Sequence, residues 1–228
     1  MRREILLSQH SHYTNIQDAC PENNFSEGTK QAVCYEYVWT VLPSTTPKII
    51  RRCPRCDRDR FYSSDKFRIN ANKKIIDVWL IYKCVNCDFT HNLPIITRKP
   101  VSKIDGKLFT RLQENDAALC WQYAFDAGIF QKGMQIDWDI DIAIQERSLQ
   151  NEVVVDDCKV QILIQSEFIL KIPIFSVLRA KMQLSRNLLE KLQKNEELEV
   201  FRQNGDPLNL KAALGQGCIL RVSSRVVL

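Results

Sequence analysis

Residues 51–87 read RRCPRCDRDRFYSSDKFRINANKKIIDVWLIYKCVNC, with the pairs Cys53/Cys56 and Cys84/Cys87 at its two ends. The 27 residues between the pairs (57–83) read as two strands and a turn. Residues 60–69 suit one strand, 70–74 are turn-like, and 75–83 form a second strand that runs straight into the second pair. A Cys-x-x-Cys turn bends the backbone so that both sulfurs point at one ion. Two such turns joined by a hairpin complete a tetrahedral four-thiolate site.

That layout predicts a zinc ribbon ligated by Cys53, Cys56, Cys84 and Cys87. Four sulfurs close the coordination sphere, so the metal would build the fold and would not activate water. A hairpin alone is marginal in water, and metal binding can supply on the order of 10 kcal/mol towards folding such a module. Iron is the alternative, because iron-binding rubredoxins use similarly spaced thiolate pairs. Glycines usually follow their knuckles, whereas Asp57 and Asp88 follow these. Redox exchange is a further reading of Cys53-Pro54-Arg55-Cys56. A dithiol active site opens a helix, however, and here Asp57, Arg58 and Asp59 lead into a strand-like run. His91, four residues past Cys87, reads as a surface or packing histidine.

The chain has 228 residues and a net charge of +5, distributed unevenly. Residues 1–47 carry −2, 48–111 carry +10, 112–174 carry −7 and 175–228 carry +4. Positive charge gathers on the cysteine-bearing segment and more weakly on the C-terminal one, and polyanions are the natural partners of such patches. No apolar stretch is long enough to span a bilayer, and residues 1–7 lack the apolar core of an export signal. Cys20, Cys34, Cys120, Cys158 and Cys218 are scattered without pairing logic, which suits a reducing cytoplasm. A cytoplasmic location and no membrane partner are expected.

Around the hairpin, residues 1–34 are polar and read as a flexible extension. Residues 35–42 are strand-like and end at Pro43 to Pro47. Alternation puts Phe61, Ser63, Asp65, Phe67 and Ile69 on one face of the first ribbon strand, with Tyr62, Ser64, Lys66 and Arg68 on the other. Both faces of 75–83 are largely apolar, which predicts a central strand covered on both sides. The expected cover is a helix carrying Leu108, Leu112, Leu119, Tyr123 and Phe130. Asn115 and Asp116 could instead mark a start, leaving 116–131 as its regular part. Ile136, Trp138, Ile140, Ile142 and Ile144 alternate with Asp137, Asp139 and Asp141, as in a strand whose carboxylates face water. Residues 153–155 and 160–170 are strand-like. Beyond Pro173 two helices follow, 175–184 and 185–194, with Ser185 as an N-cap. Asn204-Gly205-Asp206-Pro207 reads as a turn, and 218–222 with 226–228 as a closing strand.

Residues 35–98 resemble an uncharacterised bacterial family, domain of unknown function 1062. The likeness rests on Cys53-Pro54-Arg55-Cys56, the run 67–74 (FRINANKK) and the run 77–84 (DVWLIYKC), and it extends to the chain beyond residue 34. It implies no activity. Residues 173–222 resemble the small αL RNA-binding domain of a small-subunit ribosomal protein, pseudouridine synthases and bacterial tyrosyl-tRNA synthetases. Leu184-Ser185-Arg186 stands where a Ser-Arg pair opens the second helix, with Leu188, Leu189 and Leu192 as its buried stripe. Leu198, Val200, Gly217, Ile219 and Val222 match the following strands. Asn195 replaces a usual glycine, Cys218 a common aspartate, and Glu196, Glu197 and Glu199 add negative charge. The resemblance implies that Arg179, Lys181, Arg186, Lys191 and Lys194 face RNA; Lys66 and Arg68 join them from the ribbon.

The expected architecture is α+β: a flexible extension (1–34), a four-cysteine zinc ribbon packed on a helix (35–100), a connecting region of helix and strand (101–172), and an αL-like α+β domain (173–228). The expected function is non-catalytic. The protein would bind structured RNA or the ribosome through its two cationic elements, with a zinc-stabilised protein adaptor using Trp79 or Phe89 as the alternative. An iron-binding redox protein is a third reading. No phosphate-cradling glycine loop and no nucleophile–base constellation is legible, so no small-molecule substrate is expected.

Overall fold

Alternating burial along residues 76–84 shows how the chain organises itself: Ile76, Val78, Leu80, Tyr82 and Cys84 are buried while their neighbours are not. The computed structural model describes residues 33–149 and 159–227, which lie in one unit spanning 32–228. Their strands are β1 (Val33–Pro43), β2 (Lys48–Ile50), β3 (Arg60–Asn72), β4 (Ile75–Cys84), β5 (Thr90–Pro100), β6 (Gln135–Asp137), β7 (Ile142–Ser148), β8 (Lys159–Pro173), β9 (Leu198–Phe201) and β10 (Ala213–Ser223). Helices α1 (Gly106–Gln113), α2 (Ala117–Phe125), α3 (Ile174–Met182), α4 (Arg186–Lys194) and α5 (Ser224–Val227) complete the set. Among the described residues no helix is long and apolar enough to cross a membrane.

The strands make two five-stranded sheets, in the orders β7-β1-β8-β10-β9 and β5-β4-β3-β2-β6. β1 and β8 are parallel and the other pairings antiparallel. β1 and β7 bend together into the second sheet. β1 continues as β2 and β7 is preceded by β6, so the pairing Pro43↔Ile142 in one sheet is followed by Lys48↔Asp137 in the other. The bend is held by the Ser44 amide, which donates to the Asp141 carbonyl at 2.7 Å, and by the Asp141 amide, which donates to Thr45 Oγ1 at 3.1 Å.

Each sheet has its own apolar core. Ile162, Ile164, Leu170, Leu178, Leu189 and Leu220 are buried in the first, and Phe61, Ile76, Val78, Leu80, Tyr82 and Leu112 in the second. Helix α2 serves both. Leu119, Cys120 and Ala124 pack on the second sheet, while Phe125 enters the first core and stacks on Phe168 with ring centroids 4.4 Å apart. Asp116 caps this helix by accepting from the Leu119 amide at 2.7 Å. Asn115, at φ 54°, separates it from α1, and its side chain accepts from the Phe67 amide of β3 at 2.7 Å. The 116–131 reading of the helix is thus the nearer one. It ends at Phe125 and stands beside a separate α1.

This mostly β architecture corrects the α+β expectation of a zinc ribbon packed on a helix and followed by a small αL-like α+β domain. The ribbon hairpin is part of a five-stranded sheet. The strands after α4 extend the sheet that β1 and β8 begin: β10 pairs with the edge of β8 that β1 leaves free, and β9 with β10, so the backbone amides and carbonyls of those edges are met. The alternating 136–144 run is likewise not one strand: it breaks at 138–141 and changes sheet. Asp137 therefore does not simply face water but pairs with Arg60 Nε at 2.9 Å. Residues 224–227 form α5 in place of the expected strand. Ser185 does cap α4, accepting from the Leu188 amide at 3.2 Å. The expected extension, apart from Val33 and Cys34 at the start of β1, and the strand at 153–155 lie outside the described residues.

Truncation of Phe125 to alanine should lower the unfolding free energy by about 3–5 kcal/mol in urea denaturation; an unchanged midpoint would contradict its place between the cores. The Asp139 amide, and then Arg60, hold the Asp137 carboxyl below its ordinary value of 3.8. A depressed pKa contributes stability that is present above the unfolded value and is lost as pH falls through the folded one. Asp137→Asn should therefore cost about 0.5–1 kcal/mol at neutral pH, the range of a partly exposed ion pair. The difference from wild type should shrink as pH falls below about 4. A difference that stays constant from pH 7 to pH 3 would rule out the ion pair as its source.

Candidate metal centre

β3 and β4 pair Phe61 with Cys84 and Tyr62 with Lys83, which brings the turn before β3 against the turn after β4. The Cys53 amide donates to the Arg58 carbonyl at 2.6 Å, and the Cys84 amide to the Phe89 carbonyl at 2.9 Å. The two knuckles thus repeat one another at the same spacing. Each turns through a left-handed residue just past its second cysteine, Asp57 at φ 60° and Asp88 at φ 55°. Glycine is the usual occupant of that conformation, and aspartate is among the side chains that tolerate it. Asp57 is also held by Arg52 at 2.8 Å, and Asp88 by the Tyr62 hydroxyl at 3.2 Å.

The four sulfurs converge. Cys53 and Cys87 Sγ are 3.6 Å apart, Cys56 and Cys84 Sγ 3.5 Å, and all four lie within 4.8 Å of one another. A disulfide requires about 2.05 Å. A tetrahedral ion with metal–sulfur bonds of about 2.3 Å sets its sulfurs about 3.8 Å apart, so this cluster could hold one metal ion.

The electrostatics ask for a cation. The Arg58 backbone amide, then Asn86 and the neighbouring thiols, bring the Cys56 thiol down to about 6 against the cost of desolvation. The Phe89 amide acts in the same sense on Cys87. Desolvation and the three adjacent sulfurs outweigh it, and Cys87 is pushed up to about 12. The close sulfurs thus favour the thiolate at Cys56 and the thiol at Cys87, and a dication among them would stabilise the thiolate form of all four ligands. These supporting groups are not legible in the sequence. Amides carry no residue signature, and Asn86 is set beside Cys56 only by the fold.

His91 stands outside the sulfur cluster. Its Nδ1 accepts from Arg51 at 2.8 Å and its ring meets Phe61 edge-on at 6.1 Å. Arg55 lies 5.6 Å above the Phe89 ring, which is packed on the second core. The Cys53–Cys56 turn leads into β3 without a helix, unlike a dithiol active site.

The residues expected to face RNA fall in two places. Arg179 and Lys181 lie on α3, and Arg186, Lys191 and Lys194 on α4, against the first sheet. Two of these are engaged within the protein. Lys181 pairs with Glu146 at 3.1 Å and covers Trp39, while Arg186 pairs with Glu190 at 2.9 Å and covers Phe175. Arg179, Lys191 and Lys194 are exposed. Lys66 and Arg68 are on β3, in the other sheet, and are exposed there.

The family described as "Protein of unknown function (DUF1062)" matches residues 69–204, more than half of the sequence, and the chain belongs to that family. The match takes in Cys84 and Cys87, both α3 and α4, and β4 through β9. No curated protein and no solved structure matches the chain.

Metal removal should loosen the cysteine-bearing turns before anything else. Chelation with EDTA, or the Cys84→Ser substitution, should speed hydrogen exchange at the amides of 53–58 and 84–89 while β8 and β10 keep their protection. Unchanged exchange at both turns after chelation would show that no metal holds them.

Proposed function

We propose that this member of the DUF1062 family is a non-catalytic, zinc-stabilised cytoplasmic protein that binds structured RNA or a ribosomal surface through its basic faces. Zinc is chosen over iron because a four-thiolate tetrahedron in a reducing compartment suits it, and because such a closed site supplies structure without chemistry.

One observation carries the RNA reading: cations that the protein itself does not neutralise crowd the metal-bearing sheet. The net charge of residues 48–111 is +10, and a dication on four thiolates lowers it to +8. Among the described residues Arg52, Arg60 and Arg111 have carboxylate partners, whereas Arg55, Arg58, Lys66, Arg68, Lys73 and Lys74 are exposed and form no ion pair. Arginine offers a planar fork and lysine a mobile point charge to phosphate oxygens. The C-terminal helices contribute less than their sequence suggests, since Lys181 and Arg186 are already paired. Arg179, Lys191 and Lys194 remain as a second, weaker set, and two tethered weak sites reinforce one another.

The purified protein should bind a labelled RNA hairpin with an affinity that falls about 10³-fold between 50 and 200 mM salt if six phosphates are contacted. Lys66→Ala with Arg68→Ala should flatten the slope of log affinity against log salt by about 2. A salt-insensitive protein partner recovered in place of nucleic acid would favour an adaptor and sink the RNA reading.

A further inference from the structure

The second sheet has two unlike faces. Its inner face carries the buried residues of β4 and is covered by α1 and α2 through Leu112, Leu119 and Ala124. Cross-strand pairing sets Trp79 beside Arg68, and Lys83 beside Tyr62, on the opposite face. None of these four side chains, nor Ile81 between Trp79 and Lys83, packs into the core beneath. Trp79 is half-buried and Tyr62 is 37% exposed. The Arg68 guanidinium stands 6.0 Å from the Trp79 ring centroid. The positions of Trp79 and Tyr62 are separated by about 13 Å along the strands, from a rise of about 3.3 Å per residue.

We propose that this outer sheet face is a stacking platform for unpaired RNA nucleotides, a deepening that rests on the RNA reading above. One base lies on Trp79 beside the Arg68 guanidinium plane, a second lies on Tyr62, and Lys83 with Lys66 meets the intervening phosphates. Aromatic rings interleaved with cations on an open sheet are what single strands require: every base has a π-face to stack, and the backbone needs a cationic track. A paired stem cannot stack on these rings, because its bases are already stacked on one another, and it meets the face through its phosphates alone. An apolar protein surface fits less well, since it would desolvate Arg68 and Lys83 without supplying counter-charge. Two carboxylates adjoin this face: Asp77, two residues before Trp79 on β4, accepts from the Arg98 amide at 2.8 Å, and Asp88 accepts from the Tyr62 hydroxyl at 3.2 Å. Both keep their negative charge, which the three cations of the track, Arg68, Lys66 and Lys83, outnumber.

The test uses the full-length, metal-loaded chain with two labelled RNAs, an unstructured oligouridine and a fully paired stem. Trp79→Leu should weaken oligouridine binding by about 5- to 150-fold, the range accounted for by one base on an aromatic ring, and leave stem binding within about twofold. Tyr62→Leu, at a more exposed position, should act in the same direction and decides the matter if Trp79→Leu does not fold. Oligouridine affinity unchanged in the folded variants overturns the platform while leaving the RNA reading in place. Failure of the wild type to bind either RNA overturns both.

Discussion

Four sulfur atoms meeting within 4.8 Å of one another is the constraint on which the second sheet depends. Without an ion the sulfurs share their protons unequally: hydrogen bonds, first from the Arg58 backbone, lower the Cys56 thiol, while desolvation and the adjacent sulfurs raise that of Cys87. A divalent ion held among them would replace that sharing with four metal–sulfur bonds. It would also tie the start of β3 to the end of β4, giving the long hairpin a clamp at the end opposite its own two-residue turn at Lys73 and Lys74. The outer face of the hairpin can then stay open, since its register does not depend on being covered from both sides.

The remainder of the fold distributes that rigidity. The bent pair of strands running from β1 to β2 and from β6 to β7 belongs to both sheets, and α2 sends side chains into both cores. Arg60 and Asp137 add a polar tie from β3 to β6, two residues from the knuckle backbone. A charged surface is placed on this frame by simple alternation. Apart from Ser63, the residues facing inward on β3 and β4 are apolar or aromatic, and those facing outward are free to be basic or aromatic without cost to the core.

The cysteine pairs, the hairpin and most of β1, read as 35–42 where the strand runs from 33 to 43, were legible, because their signals are local: ligand spacing, period-two alternation and a turn. The family was legible from the same residues. β5 was not, since Pro94 and Pro100 blur its pattern; both are tolerated because β5 is an edge strand. The run 136–144 alternates without interruption in sequence, and nothing in that periodicity reveals that it changes partners at 138–141. The parallel pairing of β1 with β8 joins residues more than 100 positions apart, so apolar content alone could not assign β8 and β10 to the sheet that β1 begins. The basic residues of α3 and α4 were visible, yet the tie between Lys181 and Glu146 on β7 depends on that same non-local sheet.

The coupling of fold to metal is open to one direct measurement: elemental analysis by mass spectrometry of the full-length protein purified without added metal, with its compactness checked by scattering. The account predicts one zinc per chain, retained through gel filtration and released when the four thiols are alkylated under denaturing conditions. A compact protein carrying neither zinc nor iron, with four freely titrating thiols at 53, 56, 84 and 87, would contradict it.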